Sequence, residues 1–222
     1  MICGNTADEL FDNILAEMQV NNDDDNIAFE IINANLCLTD PTRNTMCNCH
    51  RKMPIRYAIA EFIWYISTNT TWKAIYPYSK FWKEISDDGI NINSNYGHCI
   101  RKKFGFDQWE HCKKLLLKNK NSRQAIIHIK EARNLIKHPT KDLNCTICLQ
   151  FLIRNNKLDM ITTMRSNDLW LGLPYDLFSF TCLQMLMAME LNVDVGKYYH
   201  NAGSLHLYKR DYDKLVNKEV TK

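Results

Sequence analysis

The stretch CTICLQFLIRNNKLDMITTM, residues 145–164, is the part of the chain from which the rest can be read. Two runs rich in Ile, Leu, Thr and Phe, Cys145 to Arg154 and Lys157 to Met164, flank Asn155-Asn156. Asparagine tolerates the left-handed backbone that a two-residue hairpin turn demands, so the pair predicts two antiparallel strands. Upstream, Gln124 to Lys130 (QAIIHIK) reads as another strand. Downstream, Pro174 can open a helix at its first turn, and DLFSFTCLQMLMAMEL keeps an apolar stripe to Leu191. This is the expected core helix, with Met185, Met187 and Met189 read as packing. Val195 to His200 predicts a further strand, followed by NAGSLHLY. Toward the N-terminus, Leu10, Ile14 and Met18 share a helical face within residues 7–20, and Asn21 to Asn26 read as a turn. Residues 107–119 (DQWEHCKKLLLKN) predict a surface helix. Residues 55–66 (IRYAIAEFIWYI) are apolar nearly all round apart from Arg56 and Glu61, so a largely buried helix is expected. A buried Glu61 is costly unless it has a partner, which leaves a functional and a locally satisfied carboxylate equally open.

The 222 residues allow one large core or two small ones at about 150 residues per domain; with no repeat, linker or boundary visible, one domain over 1–222 is the simpler reading. With 45% hydrophobic and 24% charged residues the composition is that of a folded globular chain. No run approaches the length of a membrane span, and the N-terminus carries Asp8, Glu9 and Asp12 where a signal peptide would be basic, so a cytoplasmic protein is expected. A net charge of +3 is too small to imply a nucleic-acid coat yet permits a local anion site, so no nucleic-acid partner is expected. Nine cysteines, an odd number, fit a reducing compartment with most thiols free and buried.

Cys47-x-Cys49-His50 with Cys145-x-x-Cys148 is the best metal-like pattern, but its one-residue spacing departs from structural zinc pairs, so no metal is expected. Phosphate-binding glycine loops, His-Glu-x-x-His and Gly-x-Ser-x-Gly are absent.

A different set of segments carries the chemistry: Glu61-Phe-Ile-Trp64, Asn93-Ser-Asn-Tyr96-Gly97, Asn121-Ser-Arg123, Asn144-Cys145 with Gln150-Phe151, Arg165-Ser166-Asn167-Asp168 through Leu171-Gly172-Leu-Pro174-Tyr175-Asp176, and Asn201-Ala-Gly203-Ser-Leu-His206-Leu-Tyr208. In this order and spacing, over roughly residues 55–210, they resemble the thymidylate synthase family, nearest to its deoxycytidylate hydroxymethylase branch. The first 50 residues match poorly. The resemblance implies an α/β, layered α+β fold whose bent mixed sheet forms a homodimer interface, and a pyrimidine nucleotide with 5,10-methylenetetrahydrofolate as co-substrate.

It also implies roles. Carbon 5 of a pyrimidine becomes nucleophilic only after a thiolate adds at carbon 6, and Cys145 is the matching thiol. Such a thiol needs partial exposure and nearby positive charge, which Arg165 would supply. Glu61 matches the general acid–base that organises water near the base, and Tyr96 joins the catalytic group. Arg165 and Ser166 match phosphate-binding positions, while Arg123 matches an arginine reaching into the partner's site. The family usually has two consecutive arginines there; this chain has Arg123-Gln124, and Arg43 is either a substitute or a solvated loop residue. Gln150 completes the substrate-binding set, and His206 and Tyr208 match the pair that bonds the sugar hydroxyl. Asp168, Leu171, Gly172, Tyr175 and Trp82 fall where the family packs a reduced folate, although Trp82 could equally be core.

Asp176 stands where thymidylate synthases have asparagine, matched to uracil. A carboxylic acid can donate to the bare ring nitrogen of cytosine and accept from its amine, so the residue points to a cytidine nucleotide. The alternative is a first-turn Asp favoured by the helix dipole. The expected reaction is hydroxymethylation of deoxycytidylate. The chain's end 14 residues after Tyr208 is read as reduced closure that would admit water. Thymidylate synthesis, deoxycytidylate methylation, hydroxymethylation of ribo-CMP and a turnover-free binding homologue remain alternatives.

Overall fold

Strands and helices alternate irregularly in the computed structural model, which describes residues 1–21, 23–47, 51–131 and 140–216. In chain order they are β1 (Ile2–Gly4), α1 (Ala7–Glu17), β2 (Gln19–Val20), β3 (Ile27–Leu38), α2 (Ile55–Ile66), α3 (Phe81–Ile85), α4 (Tyr96–Arg101), α5 (Gln108–Lys118), β4 (Ile126–His128), β5 (Thr146–Arg154), β6 (Lys157–Met164), β7 (Asn167–Asp168), α6 (Leu173–Leu191), β8 (Asp194–Tyr208) and α7 (Lys209–Val216). A 3-10 turn, Trp72–Ala74, precedes α3.

The strands form one mixed sheet in the order β1-β3-β8-β6-β5-β4, with β2 added to β3 and β7 to β8. The β5–β6 hairpin turns on Asn155 and Asn156 at φ 51° and 57°, the left-handed conformation that asparagine accepts at low cost. The chain then crosses through α6 to lay β8 parallel to β6, and β3 pairs antiparallel with β8 along almost its whole length. Residues 27–38, which the sequence reading leaves unassigned, form β3 by pairing with β8 and burying Ala34, Leu36 and Leu38. Likewise β8 continues from the expected end at His200 to Tyr208, carrying His206 and Tyr208 on its last turns of pleat.

One sheet face holds the core. Leu149, Phe151 and Ile153 of β5, Leu158 and Met160 of β6, and Tyr198 of β8 are buried beneath α6 and its neighbours. Alternate residues, among them Cys148, Gln150, Ile161, Thr163, Tyr199 and Asn201, are only half-buried.

Three expectations are corrected here. Helix α2 is not buried all round: Ala58, Glu61, Trp64 and Tyr65 face inward, whereas Ile55, Ile59, Ile63 and Ile66 are exposed, since a helix on a one-sided layer buries one stripe only. Met187 is core and Met185 half-buried, but Met189 is exposed in the last turn of α6. Of the eight free cysteines among the described residues only Cys37, Cys99 and Cys112 are buried; Cys145, Cys148 and Cys182 are half-buried, and Cys3 and Cys47 exposed. Cys49 and His50, needed by the metal-like pattern, lie outside the described residues, among which no group of three or more His, Cys, Asp or Glu could hold an ion. No described helix is long and apolar enough to cross a membrane.

Helix α4 starts where α2 leaves no room for a side chain. A Cβ on Gly97 would lie 1.5 Å from the Tyr65 carbonyl oxygen. This close approach sets Tyr96 against α2, with the Tyr65 and Tyr96 rings 5.1 Å apart. Gly97→Ala is expected to cost about 3 kcal/mol or more, measured by urea denaturation.

Candidate active site

Cys145 sits immediately before β5, at the mouth of the sheet, and is half-buried. Its loop is tied down: Asp142 accepts from the Ser94 backbone N–H at 2.9 Å, and Asp87 accepts from the Lys141 N–H at 2.8 Å. Arg165, just after β6, reaches back across the hairpin. Its backbone N–H donates to the Cys145 carbonyl at 2.9 Å, its Nε to the Asn144 carbonyl at 3.2 Å, and its Nη2 lies 3.4 Å from Cys145 Sγ. Burial pushes the thiol up from its ordinary value, and the Arg165 guanidinium opposes that push. Cys145 therefore rests as a thiol with a cation already in place to receive its charge.

Glu61 projects from the inner face of α2 and is 4% exposed. Its Oε1 accepts from the Tyr57 hydroxyl one helical turn earlier. Burial raises the carboxyl to about 8, the Tyr57 bond draws it down, and the nearby Asp176 carboxyl raises it. Asp176 lies in the first turn of α6, half-buried, with its Oδ2 accepting from Asn167 Nδ2 at 2.7 Å. Burial lifts this acid to about 7 against the pull of Asn167. Tyr96 is buried, stacked 5.6 Å from Phe180, and held protonated by burial and then by the charges of Asp176 and Cys145. Helices α2, α4 and α6 thus bring Tyr96 within electrostatic reach of Glu61, Asp176 and Cys145, and Asp176 within reach of Glu61 and Cys145.

Around this centre, Ser166 is half-buried between β6 and β7. His206 is buried on β8 in register with Asp168 of β7; its Nδ1 lies 3.3 Å from Ser204 Oγ, and the Tyr208 ring meets it edge-on at 4.8 Å. Asp168 Oδ1 accepts from the Trp170 and Leu171 N–H groups at 2.7 and 2.9 Å, shaping the turn into α6. Gly172 is needed in that turn, for a Cβ there would stand 2.9 Å from Asn167 Nδ2 and 3.0 Å from the Asp168 carbonyl oxygen. Leu171 is exposed beside it and Tyr175 half-buried. Trp82 is buried in α3, its Nε1 donating to the Tyr57 hydroxyl at 3.0 Å.

Other predicted residues stand apart from this cluster. Gln150 is on the half-buried sheet face, where its Nε2 donates to the Arg123 carbonyl at 2.9 Å. Arg123 and Arg43 are exposed, Arg43 in a turn whose carbonyl accepts from Ala7 N–H at 2.8 Å.

The sequence of these parts matches known proteins. The family model described as thymidylate synthase covers residues 8–222. The chain belongs to the thymidylate synthase family. It is 30% identical over 195 residues to a protein of Bacillus phage SP01 named deoxyuridylate hydroxymethyltransferase, an alignment covering 82% of this chain and 51% of that protein. A thymidylate synthase of Francisella tularensis subsp. holarctica is 26% identical over 186 residues, 78% of this chain and 68% of that one. The chain thus spans about half the length of the phage relative and about two thirds of the bacterial one. Among solved structures, thermostable thymidylate synthase A from Bacillus subtilis superposes with a TM-score of 0.72 over 87% of this chain and 71% of that one, at 23% identity, which establishes the fold.

Within this thymidylate synthase fold, three site-shaping residues escape the sequence reading. Asn167 lies within the Arg-Ser-x-Asp run, but its bond to Asp176 depends on β7 meeting α6. Tyr57 sits four residues before Glu61, an (i, i+4) relation that was available as a signal. Arg51 is buried, donating to the Trp170 carbonyl at 3.0 Å and the Tyr175 hydroxyl at 3.2 Å with its guanidinium over the Trp170 ring; its partners are over a hundred residues distant.

Proposed function

We propose that the chain is a folate-dependent pyrimidine nucleotide 5-hydroxymethyltransferase, converting deoxycytidylate, 5,10-methylenetetrahydrofolate and water to 5-hydroxymethyl-deoxycytidylate and tetrahydrofolate. The reading rests on the half-buried Asp176 carboxyl, raised to about 7 and oriented by Asn167. Because Oδ2 accepts from Asn167, the proton of the neutral acid belongs on Oδ1. A carboxyl so arranged can donate to the bare ring nitrogen of cytosine and accept from its amine. Mismatched donors in a closed site discriminate strongly, which disfavours uracil with its ring N–H.

Cys145 adds to carbon 6 of the base as the thiolate, with Arg165 stabilising the developing charge 3.4 Å away. The electron pair moves to carbon 5, which takes up the electrophilic one-carbon unit that the folate supplies. Loss of the folate amine leaves an exocyclic methylene on the nucleotide. Water adds to that methylene, the C5–C6 double bond is restored, and the sulfur departs. Glu61, poised near 8, exchanges the protons these steps require and orders the water. Arg165 and Ser166, with Arg123 from a partner subunit and Arg43, hold the phosphate; His206 and Tyr208 hold the sugar, with Gln150 on the substrate set's periphery. Leu171, Gly172, Tyr175 and Trp82, with Asp168, are assigned as the wall that packs the folate, Leu171 being exposed at the turn into α6 and Tyr175 half-buried beside it. The half-buried sheet face supports a homodimer, and the protein is assigned to the cytoplasm.

A uracil substrate is the second reading, favoured by the name of the phage relative. Incubation with labelled methylenetetrahydrofolate and each of dCMP, CMP and dUMP, followed by mass analysis, separates them. The expected product is dCMP plus one CH2O, with tetrahydrofolate released. Dihydrofolate with a methylated base would replace the hydroxymethyl reading, a dUMP product would replace the cytosine one, and no turnover would mark a binding homologue.

A further inference from the structure

Tyr57 touches three residues to which the proposed reaction assigns work, yet has no assignment itself. Its hydroxyl donates to Glu61 Oε1 and accepts from Trp82 Nε1 at 3.0 Å, so a single oxygen joins the acid–base group to the folate wall. Its ring meets Tyr175 edge-on at 4.7 Å, and Tyr175 in turn accepts from the buried Arg51. Being four residues apart on α2, Tyr57 and Glu61 share one face, so helix geometry holds the pair without help from a flexible loop.

We propose that Tyr57 is a positioning residue: its hydroxyl holds the Glu61 carboxyl in place and couples it to Trp82, so that the wall meeting the folate and the group moving protons form one hydrogen-bonded relay. The inference rests on the reading of the function given above for the consequence to turnover, but not for the relay itself.

The direction follows from the chemistry. A phenol donating to a carboxylate favours the charged acid, and burial otherwise holds that acid neutral. Donation by the Trp82 N–H to the same phenol oxygen polarises the O–H and makes it the better donor. The phenol itself stays protonated, because burial and then the Glu61 charge both oppose its ionisation. The other groups facing Glu61 are Tyr65 on its own helix, Tyr96 from α4 and Asp176 from α6; the two tyrosines are buried and protonated, and Asp176 bears on Glu61 only as a like charge. Among the described residues Tyr57 is the group whose hydrogen bond lowers the Glu61 carboxyl.

Tyr57→Phe, in the full chain, removes one oxygen and keeps the ring on Tyr175. The Glu61 carboxyl, followed by carbon NMR with labelled glutamate and identified by its absence from Glu61→Gln, should titrate about one pH unit higher in Tyr57→Phe and by a smaller step in the same direction in Trp82→Phe. With an accepted nucleotide, kcat should fall 10- to 100-fold with KM for the nucleotide within about twofold, and the inflection that Glu61→Gln lacks should move up with the carboxyl. An unmoved carboxyl titration in Tyr57→Phe overturns the proposal, as does a kcat loss without a shifted inflection, which is what a merely structural role would give. A shifted carboxyl in a protein that turns over no nucleotide upholds the relay and removes the reading of the function.

Discussion

Cys145→Ala should lower turnover of every accepted nucleotide by about 10⁴-fold or more, to background, while the melting temperature changes by only a few degrees. The thiol is the attacking group in the proposed reaction, and no other described cysteine lies in the same position. Cys148, the nearest in sequence, is three residues on and belongs to the half-buried sheet face. Stability should survive because Cys145 is only half-buried and precedes the strand, so removing its sulfur opens little cavity. The same substitution should remove one slow site of alkylation by iodoacetamide, resolved by peptide mapping from the exposed Cys3 and Cys47. Since burial raises the thiol and Arg165 lowers it, wild-type alkylation should accelerate with rising pH, and Arg165→Gln should slow it at any given pH. Full residual activity in Cys145→Ala would remove it as nucleophile.

Asp176→Asn should invert base preference, moving the ratio of kcat/KM for dCMP over dUMP by on the order of 10³-fold toward uracil. Asparagine can still accept from Asn167 through its carbonyl, and its NH2 then faces the base as an obligatory donor, matched to the uracil carbonyl and opposed to the cytosine amine. Two pH signatures accompany the change. Wild-type affinity for dCMP should weaken as pH rises through about 7, where the acid ionises, and that inflection should vanish in the variant. For stability, a carboxyl raised from 3.8 to about 7 binds more protons folded than unfolded between these values, so the folded state loses stability as pH rises across that window. Asp176→Asn should therefore stabilise the protein relative to wild type little at pH 4 and most above pH 7, by a few kcal/mol, as read from urea denaturation at each pH. A variant that keeps its cytosine preference refutes the base-reading argument.

Much of this is legible in the sequence, and the legible parts share a cause. The β5–β6 hairpin is visible because Asn155-Asn156 fixes its own geometry, and α5 and α6 because their local apolar patterns suffice, with Pro174 marking the first turn of α6. The segment 27–38 carries no assignment from the sequence, and it is a strand through pairing with β1, β2 and above all β8. Met189 and the isoleucines of α2 were misread for a related reason: apolar character states what could be buried, and the layer opposite decides what is.

The sequence by itself determined the family and the kinds of chemistry present, a thiol, two carboxyls and an arginine, because those are properties of residue types in a fixed order. Only the tertiary structure decided their ionisation and alignment. Burial under α2, α4 and α6 lifts Glu61 to about 8 and Asp176 to about 7, while Tyr57 bonds Glu61, Asn167 bonds Asp176 and Arg165 reaches Cys145. Proton affinity depends on what surrounds a group in three dimensions, and that neighbourhood is assembled from strands and helices far apart along the chain.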